Sequence, residues 1–418
     1  MEKVGFTRRN FLKTSAAVSA ASLMTNLGTN FAHAAGSDVI KVGVIGCGGR
    51  GNGAADDCVG GGEIAGAKVQ IAAVADVFKG HTDHLKNKFK IADDKCFSGL
   101  DAYKGVVDSG VDMVIIATPP GFKALQFEYA IEKGKHVFVE KPVAVCPAGV
   151  RIMLKAGEMA TEKKLAVVAG TQRRHETNYI DTIKAIHDGA IGDILHMSVY
   201  WCGGGIWWRN PEAGMSEVEA QINNWYHYIW LCGDQICEQH LHNLDVANWV
   251  MGSHPVSAYG QGGRNAKMRP QGSEIWDNTA VEYEYPNGGR VLSFGRHWPG
   301  DGNVSEFAIG SNGTSNPGGW IAPKGGQRKS FRNARSGYVQ EHADLIKSIL
   351  EGKPLNETKA VAESTMTTII GRMSCYSGKK VNWDWAMKDS KLDLVPRNLD
   401  LKGPAPKVEI PIPDGKLV

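Results

Sequence analysis

The stretch VIKVGVIGCGGRGNGAA, residues 39–55, decides the fold of this chain. Its first seven residues are apolar except for Lys41, a pattern that predicts a buried parallel strand. The glycines that follow have G-x-G-x-x-G spacing, which allows a tight turn, a close approach of main chain to a pyrophosphate, and close packing of the next helix. That helix would also offer unpaired N–H groups to phosphate. The predicted phosphate-binding residues are Gly46, Gly48, Gly49, Arg50 and Gly51.

Further apolar segments alternate with helices after this turn. VQIAAVAD, residues 69–76, ends in Asp76, whose carboxylate would accept hydrogen bonds from the adenosine ribose and favours NAD over NADP. VDMVIIAT, residues 111–118, and GKHVFVEKPVAV, residues 134–145, continue the pattern. The alternation predicts a doubly wound parallel sheet, with a sheet of this kind that binds no dinucleotide as the alternative.

The glycine-rich segment CVGGGEIAGAK, residues 58–68, separates the turn from the second strand. It makes the distance from Gly48 to Asp76 longer than is usual in this fold. We therefore predict a loop insertion at this point.

Three segments resemble the Gfo/Idh/MocA family, which includes glucose–fructose oxidoreductase, inositol dehydrogenase and NAD-dependent glycosidases. They are GVIGCGGRG at 43–51, ATPP at 117–120 and GKHVFVEKPVA at 134–144. The resemblance implies an α/β protein: an N-terminal Rossmann domain with a doubly wound parallel sheet, and a C-terminal α/β domain with a large, mostly antiparallel sheet. We expect a signal peptide at 1–34, the Rossmann domain at 35–165 and the second domain at 166–418.

The resemblance also implies site residues in the nucleotide half. Glu140 would contact the nicotinamide end of NAD, and Pro142 would shape the turn that presents Lys141. Lys123 stands where many members have His, so no role is carried over to it. The further cofactor-binding residues expected here are Thr118, Pro119 and Lys141.

A second signature lies in GDQICEQHLHNLDVANWVMG, residues 233–252. Helical spacing would place Glu238, His242 and Asp245 on one face of a single helix. The family usually has Asp at the first of these positions, and its catalytic His matches His242. In this interpretation His242 takes the proton of a sugar carbinol, and Lys141 stabilises the alkoxide that develops. The predicted catalytic residues are Lys141, His242 and Glu238.

Two alternatives compete with that interpretation. The helix could be a core helix with a satisfied histidine. Glu238, His240 and His242 could also suggest metal ligands. Positions two apart on a helix do not face each other, so we predict no metal.

Aromatic residues are concentrated just before this signature. YWCGGGIWWRNPE, residues 200–212, and NNWYHYIWLCG, residues 223–233, contain five of the eleven tryptophans. Flat aromatic walls suit the apolar face of a sugar ring, although an aromatic core under long loops is the alternative. The segment GTQRRHETNYI, residues 170–180, resembles an Arg-bearing family segment near the substrate. The predicted substrate-binding residues are Arg174, Tyr179, Trp207, Trp208, Trp225, Tyr226 and His240.

The N-terminus predicts export. TRRNFLKTSAAVSAASLM, residues 7–24, pairs two arginines with a weakly apolar run, and Ala32-His33-Ala34 is typical of a cleavage site. A disordered N-terminus with two chance arginines is the alternative. The apolar run is a poor transmembrane span, so we expect no stable membrane anchor. The twin-arginine pathway carries folded proteins, so we expect a periplasmic or otherwise exported protein with NAD already bound.

Composition limits the partners. The formal net charge is +3 without a long basic block, so nucleic acid is not expected. The eight cysteines are scattered and argue against a disulfide scaffold. The resemblance implies an open sheet of the kind that often serves for oligomerisation, and we expect a homo-oligomer besides the export machinery and a small sugar or glycoside.

These observations predict an exported NAD-dependent oxidoreductase acting on a sugar or glycoside. Outside the cytoplasm the cofactor has no pool to exchange with, so it must be restored within the catalytic cycle. One alternative is a glycoside hydrolase that oxidises C3, eliminates the aglycone, adds water and reduces C3 again. A non-catalytic sugar- or nucleotide-binding protein on the same fold is the alternative from another class.

Overall fold

Six parallel strands form the first sheet, in the order β3-β2-β1-β4-β5-β6. A computed structural model describes residues 39–265, 269–270 and 272–406, and the predicted signal peptide lies outside these described residues. The order is that of dinucleotide-binding sheets, so the predicted Rossmann topology is confirmed. The strands are β1 (Val39–Ile45), β2 (Lys68–Asp76), β3 (Cys96–Ser98), β4 (Met113–Ile116), β5 (His136–Val139) and β6 (Val167–Ala169).

Helices connect these strands on both faces of the sheet. All residues of β4 and β5 are buried, as expected for parallel strands covered on both sides. A short 3-10 turn, Asp93–Lys95, precedes β3. The helices are α1 (Gly49–Ala65), α2 (Lys79–Phe89), α3 (Ala102–Asp108), α4 (Pro120–Glu132) and α5 (Pro147–Glu162).

Nine strands form the second sheet, in the order β14-β13-β12-β11-β7-β10-β9-β8-β15. The pair β7 and β10 is parallel, and the other neighbouring pairs are antiparallel. The predicted large, mostly antiparallel sheet is therefore confirmed. The strands are β7 (Ile194–Gly203), β8 (Ser257–Gly263), β9 (Asn278–Glu284), β10 (Arg290–His297), β11 (Asn303–Gly310), β12 (Gly313–Asn316), β13 (Trp320–Pro323), β14 (Lys329–Ser330) and β15 (Val381–Asn382).

Helices of the second half pack against one face of this sheet and also against the first sheet. Short 3-10 turns occur at Gln172–His175 and Trp225–His227. None of the helices in the described residues is long and apolar enough to cross a lipid bilayer. The helices are α6 (Thr177–His187), α7 (Glu217–Asn223), α8 (Ile229–Cys232), α9 (Gln235–Glu238), α10 (Leu241–Met251), α11 (Gly337–Leu350), α12 (Thr358–Ser377) and α13 (Trp383–Lys388).

Helix α11 belongs to the second half of the chain but completes the core of the first. Its Leu345 and Ile346 are fully buried in one apolar cluster with Val42 and Val44 of β1. The same helix packs along α1. The parallel sheet therefore obtains part of its helical cover from residues almost 300 positions further along the chain.

The predicted loop insertion at residues 58–68 is wrong, because α1 continues through most of it and ends at Ala65. Its glycines have a packing role. A Cβ atom on Gly61 would lie 2.8 Å from the main-chain nitrogen of Ala343 and 2.8 Å from Cβ of His342 in α11. The segment is rich in glycine because two helices approach each other closely there, although glycine is a poor helix former.

We predict that Gly61→Ala destabilises the protein by about 1–3 kcal/mol, because the new methyl group meets the main chain of α11. Urea unfolding followed by circular dichroism measures this loss. Gly80→Ala in α2 is the matched control, since no atom lies within 4 Å of its added Cβ. The control should leave stability unchanged or raise it by at most ~1 kcal/mol. Equal stability of the two variants would contradict the packing role of Gly61.

Candidate active site

A cavity of about 560 Å³ lies at the carboxyl ends of the parallel strands and is lined by both halves of the chain. Ligands of doubly wound sheets bind at this edge. The first half contributes the glycine turn after β1, Asp76 at the end of β2, and the residues that follow β4 and β5. The second half contributes residues between β7 and α10.

The glycine turn fits a bound dinucleotide. A Cβ atom on Gly46, whose φ is 87°, would lie 2.6 Å from the nitrogen of Thr118, and one on Gly51 would lie 1.8 Å from the carbonyl oxygen of Gly46. Side chains are therefore excluded at both positions. Gly48 and Gly49 border the cavity with no atom within 4 Å of an added Cβ. That bare main chain at the start of α1 is what a pyrophosphate group requires.

Asp76 is held in place by the turn that it faces. Its carboxylate accepts hydrogen bonds from the N–H groups of Cys47 at 2.7 Å and Phe78 at 2.9 Å. Nδ1 of His81 lies 3.2 Å from the same carboxylate, and this hydrogen bond raises the pKa of His81. The carboxylate thus lies in the cavity wall with a fixed orientation, in the position expected of a ribose acceptor.

Arg50 also lines the cavity, but its guanidinium group is engaged with two carboxylates. Nε lies 2.9 Å from Oε1 of Glu140, and Nη2 donates to Asp57 at 2.6 Å. The guanidinium group stacks over the ring of Tyr338, 5.1 Å from its centroid. The ion pair joins the start of α1 to the end of β5, so Arg50 links the two cofactor-binding motifs of the sequence.

Lys141 and Glu238 meet across the two halves. Nζ of Lys141 lies 3.2 Å from Oε1 of Glu238 and also donates to the main-chain carbonyl of Glu238. Both side chains are about nine-tenths buried. Burial raises the pKa of Glu238, and Lys141 opposes this shift. The second carboxylate oxygen of Glu238, Oε2, accepts no hydrogen bond from any described residue. This oxygen is itself buried, so its hydrogen-bonding capacity is unfilled in this arrangement.

His242 lines the same cavity and is kept neutral. Burial lowers its pKa well below 6.5, and the positive charges of Lys141 and Arg173 lower it further. The indole ring of Trp201 stacks against the imidazole, with 5.8 Å between the ring centroids. Trp201 is itself oriented by a 2.8 Å hydrogen bond from its Nε1 to Gln239. A neutral imidazole of this kind can accept a proton.

The prediction that Glu238, His242 and Asp245 lie on one face of a continuous helix is wrong. Helix α9 ends at Glu238, and α10 begins at Leu241. In an unbroken helix the carbonyl of Glu238 would accept from the N–H of His242. Here that N–H donates to Gln239 at 3.3 Å, and Lys141 occupies the carbonyl of Glu238. Glu238 and His242 still line one cavity, although they belong to two successive helices.

Of the predicted substrate-binding residues, Trp207 and Trp225 line the cavity and the others do not. Arg174 forms a bidentate ion pair with Asp245 at 2.9–3.1 Å. The remaining side chains have partners or burial elsewhere: Tyr179 donates to Glu306, His240 bonds Ser293 at 2.6 Å, Trp208 packs on His227, and Tyr226 is buried. Their assignment as direct substrate contacts therefore finds no support in this geometry. Residues that follow one another in a compact turn point to opposite sides of it, so side chains that are adjacent in the sequence do not all face the cavity.

Sequence reasoning did not single out several residues that the fold brings to the cavity. Trp201, which stacks on His242, lies in the aromatic segment at 200–212 but is not among the predicted substrate-binding residues. Its signal was its position near the end of β7. The additional lining residues from both halves include Lys123, Trp201, Arg209, Asn223 and Gln239. No group of three or more His, Cys, Asp or Glu side chains within the described ranges is arranged to hold a metal ion.

Comparison with known proteins gives matches in three parts of the chain. Residues 40–171 match the oxidoreductase family with an NAD-binding Rossmann fold, and residues 180–314 match the GFO/IDH/MocA C-terminal domain. Residues 5–25 match the signal sequence of the twin-arginine translocation pathway. Export by this pathway and NAD as the cofactor of the parallel sheet, both predicted from the sequence, are thus confirmed.

Individual relatives agree with these matches. Inositol 2-dehydrogenase of Rhizobium meliloti (strain 1021) is 26% identical over 191 residues, which are 46% of this chain and 50% of the relative. 2,7-Anhydro-N-acetylneuraminate hydratase of Escherichia coli (strain K12) is 28% identical over 209 residues, 48% of this chain and 50% of the relative. The chain thus spans about half the length of these curated relatives.

A solved structure shows the same fold. Levoglucosan dehydrogenase, in complex with NADH and levoglucosan, superimposes with a TM-score of 0.65 at 16% identity, covering 82% of this chain and 99% of that protein. The two family matches together cover well over half of the chain; the first spans the parallel sheet, and the second spans strands β7 to β11 of the other sheet. The chain therefore belongs to the Gfo/Idh/MocA family of oxidoreductases.

Proposed function

We propose that this protein is an exported oxidoreductase that transfers a hydride between a carbinol of a sugar or glycoside and tightly bound NAD. The observation that carries the proposal is the convergence of neutral His242 and the Lys141–Glu238 pair on the cavity that also contains the glycine turn. A binding protein without catalysis would not require a buried cation beside a neutral base.

The residues divide the chemistry between them. When bound, NAD accepts or returns a hydride. Nε2 or Nδ1 of His242 takes the hydroxyl proton of the carbinol, since the ring is neutral near pH 7. The ammonium group of Lys141 stabilises the negative charge that develops on the same oxygen. Glu238 lines the cavity beside these groups and, by pairing with Lys141, fixes the position of its ammonium group.

The aromatic wall supports a sugar as the substrate class. Trp201, Trp207 and Trp225 line the cavity, and such flat faces pack against the apolar face of a sugar ring. Relatives named as inositol 2-dehydrogenase and a neighbour named levoglucosan dehydrogenase act on compounds of the same polyhydroxylated kind. These names support a cyclic polyol or sugar without selecting one.

The second candidate function is a redox-assisted glycosidase. The export signal directs the protein out of the cytoplasm, to a place where no pool of free NAD exists. A reaction that first reduces and then reoxidises the same bound NAD needs no such pool. A relative named as a hydratase carries out a reaction without net oxidation in the same family. In such a cycle a C3 ketone acidifies the C2 proton, and His242 is the base that removes it while Lys141 stabilises the enolate.

We predict that Lys141→Ala and His242→Ala each lower kcat by ~10²-fold or more, because each removes a group that acts on the reacting oxygen. Bound NAD, released by denaturation and quantified by chromatography, should remain near the wild-type amount. His84→Ala, at an exposed position of α2, is the control and should keep full activity. Near-normal rates in both site variants would rule out this active site.

The depressed pKa of His242 predicts the acid side of the pH profile. The ring is neutral at pH 7 and accepts a proton only well below its ordinary pKa of 6.5. The rate should therefore stay constant as the pH falls from 7 to below 6.5, and should decrease only at lower pH. A decrease centred at pH 6.5 or above would contradict this assignment of the base.

We predict that deuterated water distinguishes the two candidate reactions. A closed-cycle glycosidase turns over many times on its bound NAD and leaves deuterium at C2 of the sugar product but not at C3. A simple oxidoreductase without a second substrate stops after about one equivalent of keto product per bound NAD, which is left reduced, and releases no aglycone. NMR of the isolated product measures both positions. A sugar screen that gives neither cofactor reduction nor isotope exchange would favour the binding-protein alternative.

We further propose that the open face of the second sheet pairs with a second copy of the chain. Tyr200 and Phe294 stack there at 5.4 Å, and Phe307 lies 6.2 Å from Trp320. Phe294 and Phe307, with Ile309, are more than one-third exposed. A continuous aromatic surface of this kind is typical of a protein interface.

We expect the double variant Phe294→Glu/Phe307→Glu to be a monomer by light scattering coupled to size exclusion, because charge opposes burial of this face. Leu350→Glu, exposed at the end of α11 and away from the sheet, is the control and should keep the wild-type mass. A monomeric wild-type protein, or an oligomeric double variant, would contradict the proposed interface.

A further inference from the structure

Lys123 is a buried lysine inside the proposed active site that the mechanism does not yet use. It lies in the first turns of α4, is 2% exposed and lines the cavity. A lysine side chain is rarely buried to this extent unless it is paired. Its partners therefore indicate its role.

The ammonium group of Lys123 binds main chain next to Lys141. Nζ donates to the carbonyl oxygens of Lys141 and Pro142, both at 3.1 Å. These carbonyls belong to the turn after β5 that presents the side chain of Lys141. A side chain from α4 thus anchors the main chain of Lys141, whose own Nζ extends to Glu238 in the second half.

Three charged groups of the site act on Lys123. Glu238 and Glu140 favour its charged form, and Lys141 opposes it. Each of these carboxylates also has a cationic partner of its own, Arg50 for Glu140 and Lys141 for Glu238. Burial is the largest influence and lowers the pKa of Lys123 to about 8. The charge of Lys123 therefore changes within the pH range in which a protein of this kind is assayed.

We propose that Lys123 is a positioning residue for Lys141: its charged ammonium group donates the hydrogen bonds that hold the 141–142 main chain, and so fixes the side chain that pairs with Glu238. This inference rests on the proposed oxidoreductase function. Without Lys123, two buried carbonyls lose their donor and the turn can shift. A small displacement of Lys141 from the reacting oxygen would lower kcat more than KM.

The alternative is that Lys123 only stabilises the fold. Both roles would destabilise a Lys123→Met variant, so a loss of activity alone does not separate them. The pH dependence of kcat separates the two roles, because a purely structural lysine does not change the reaction rate when it loses its proton.

The experiment measures kcat between pH 6.5 and 10 for the wild-type holoenzyme, Lys123→Met and Lys123→Arg. We expect the wild-type rate to fall above about pH 8 as Lys123 loses its charge. Lys123→Arg, which stays charged, should retain part of the rate and move this decrease up by at least about one pH unit. Lys123→Met should lose about tenfold in kcat below pH 8, keep its bound NAD and show no decrease near pH 8, so that its rate approaches that of the wild type at high pH.

The matched control is Lys135→Met. Lys135 also donates to a main-chain carbonyl, that of Val111 at 2.8 Å, but it does not line the cavity. This variant should keep the wild-type rate and the wild-type pH profile. Wild-type kcat and an unmoved alkaline decrease in Lys123→Met would overturn the proposal, as would a wild-type rate that does not fall up to pH 10.

A second measurement does not depend on turnover. Protein labelled with ¹³C at lysine Cε should show one lysine that titrates near pH 8 and is missing in Lys123→Met. The Lys141 signal should also shift in that variant, because its anchored main chain has moved. If no sugar is oxidised by the wild type but both NMR results are observed, the proposed function fails while the positioning of Lys141 stands. An unchanged Lys141 signal would overturn the positioning role.

Discussion

The contact between Lys141 and Glu238 is the interaction on which the site depends. It joins the turn after the fifth parallel strand to a residue almost 100 positions later, and it uses both the carboxylate and the main-chain carbonyl of Glu238. By occupying that carbonyl, Lys141 takes the place of the N–H of His242 that an unbroken helix would provide. One ammonium group thereby links the two halves and sets the direction in which the base points.

Because the contact between Lys141 and Glu238 is buried, the charge of Lys141 acts strongly on neighbouring groups. Burial of the imidazole, and next to it the positive charge of Lys141, lower the pKa of His242, so that the ring is neutral. The same cation lines the cavity, where it can stabilise negative charge that develops on the oxygen of a bound carbinol. The neutral base, His242, and the charge-stabilising group, Lys141, thus depend on each other electrostatically.

The close approach of helices α1 and α11 supports the same site from behind. Glycines of α1 allow the main chain of α11 to pack against them, and Tyr338 of α11 then reaches the cavity and the guanidinium group of Arg50. Arg50 in turn pairs with Glu140, the neighbour of Lys141. The phosphate-binding turn and the catalytic turn are therefore joined through a helix of the second half.

The sequence by itself determined the parallel sheet, the glycine turn, Asp76 at the end of the second strand, and the export signal. These features depend on local patterns: apolar strands, glycine spacing and short motifs whose chemistry is carried by neighbouring residues. Tertiary structure alone decided that residues 58–65 are helical, since only contact with α11 explains glycines in a helix. It also decided the break after Glu238, because the competing donor comes from a distant turn. Tertiary structure also decided that Trp201 and Lys123 line the cavity. Arg174 and His240 instead pair with Asp245 and Ser293, respectively. Which of several adjacent polar or aromatic side chains faces a cavity depends on long-range packing, which no local pattern encodes.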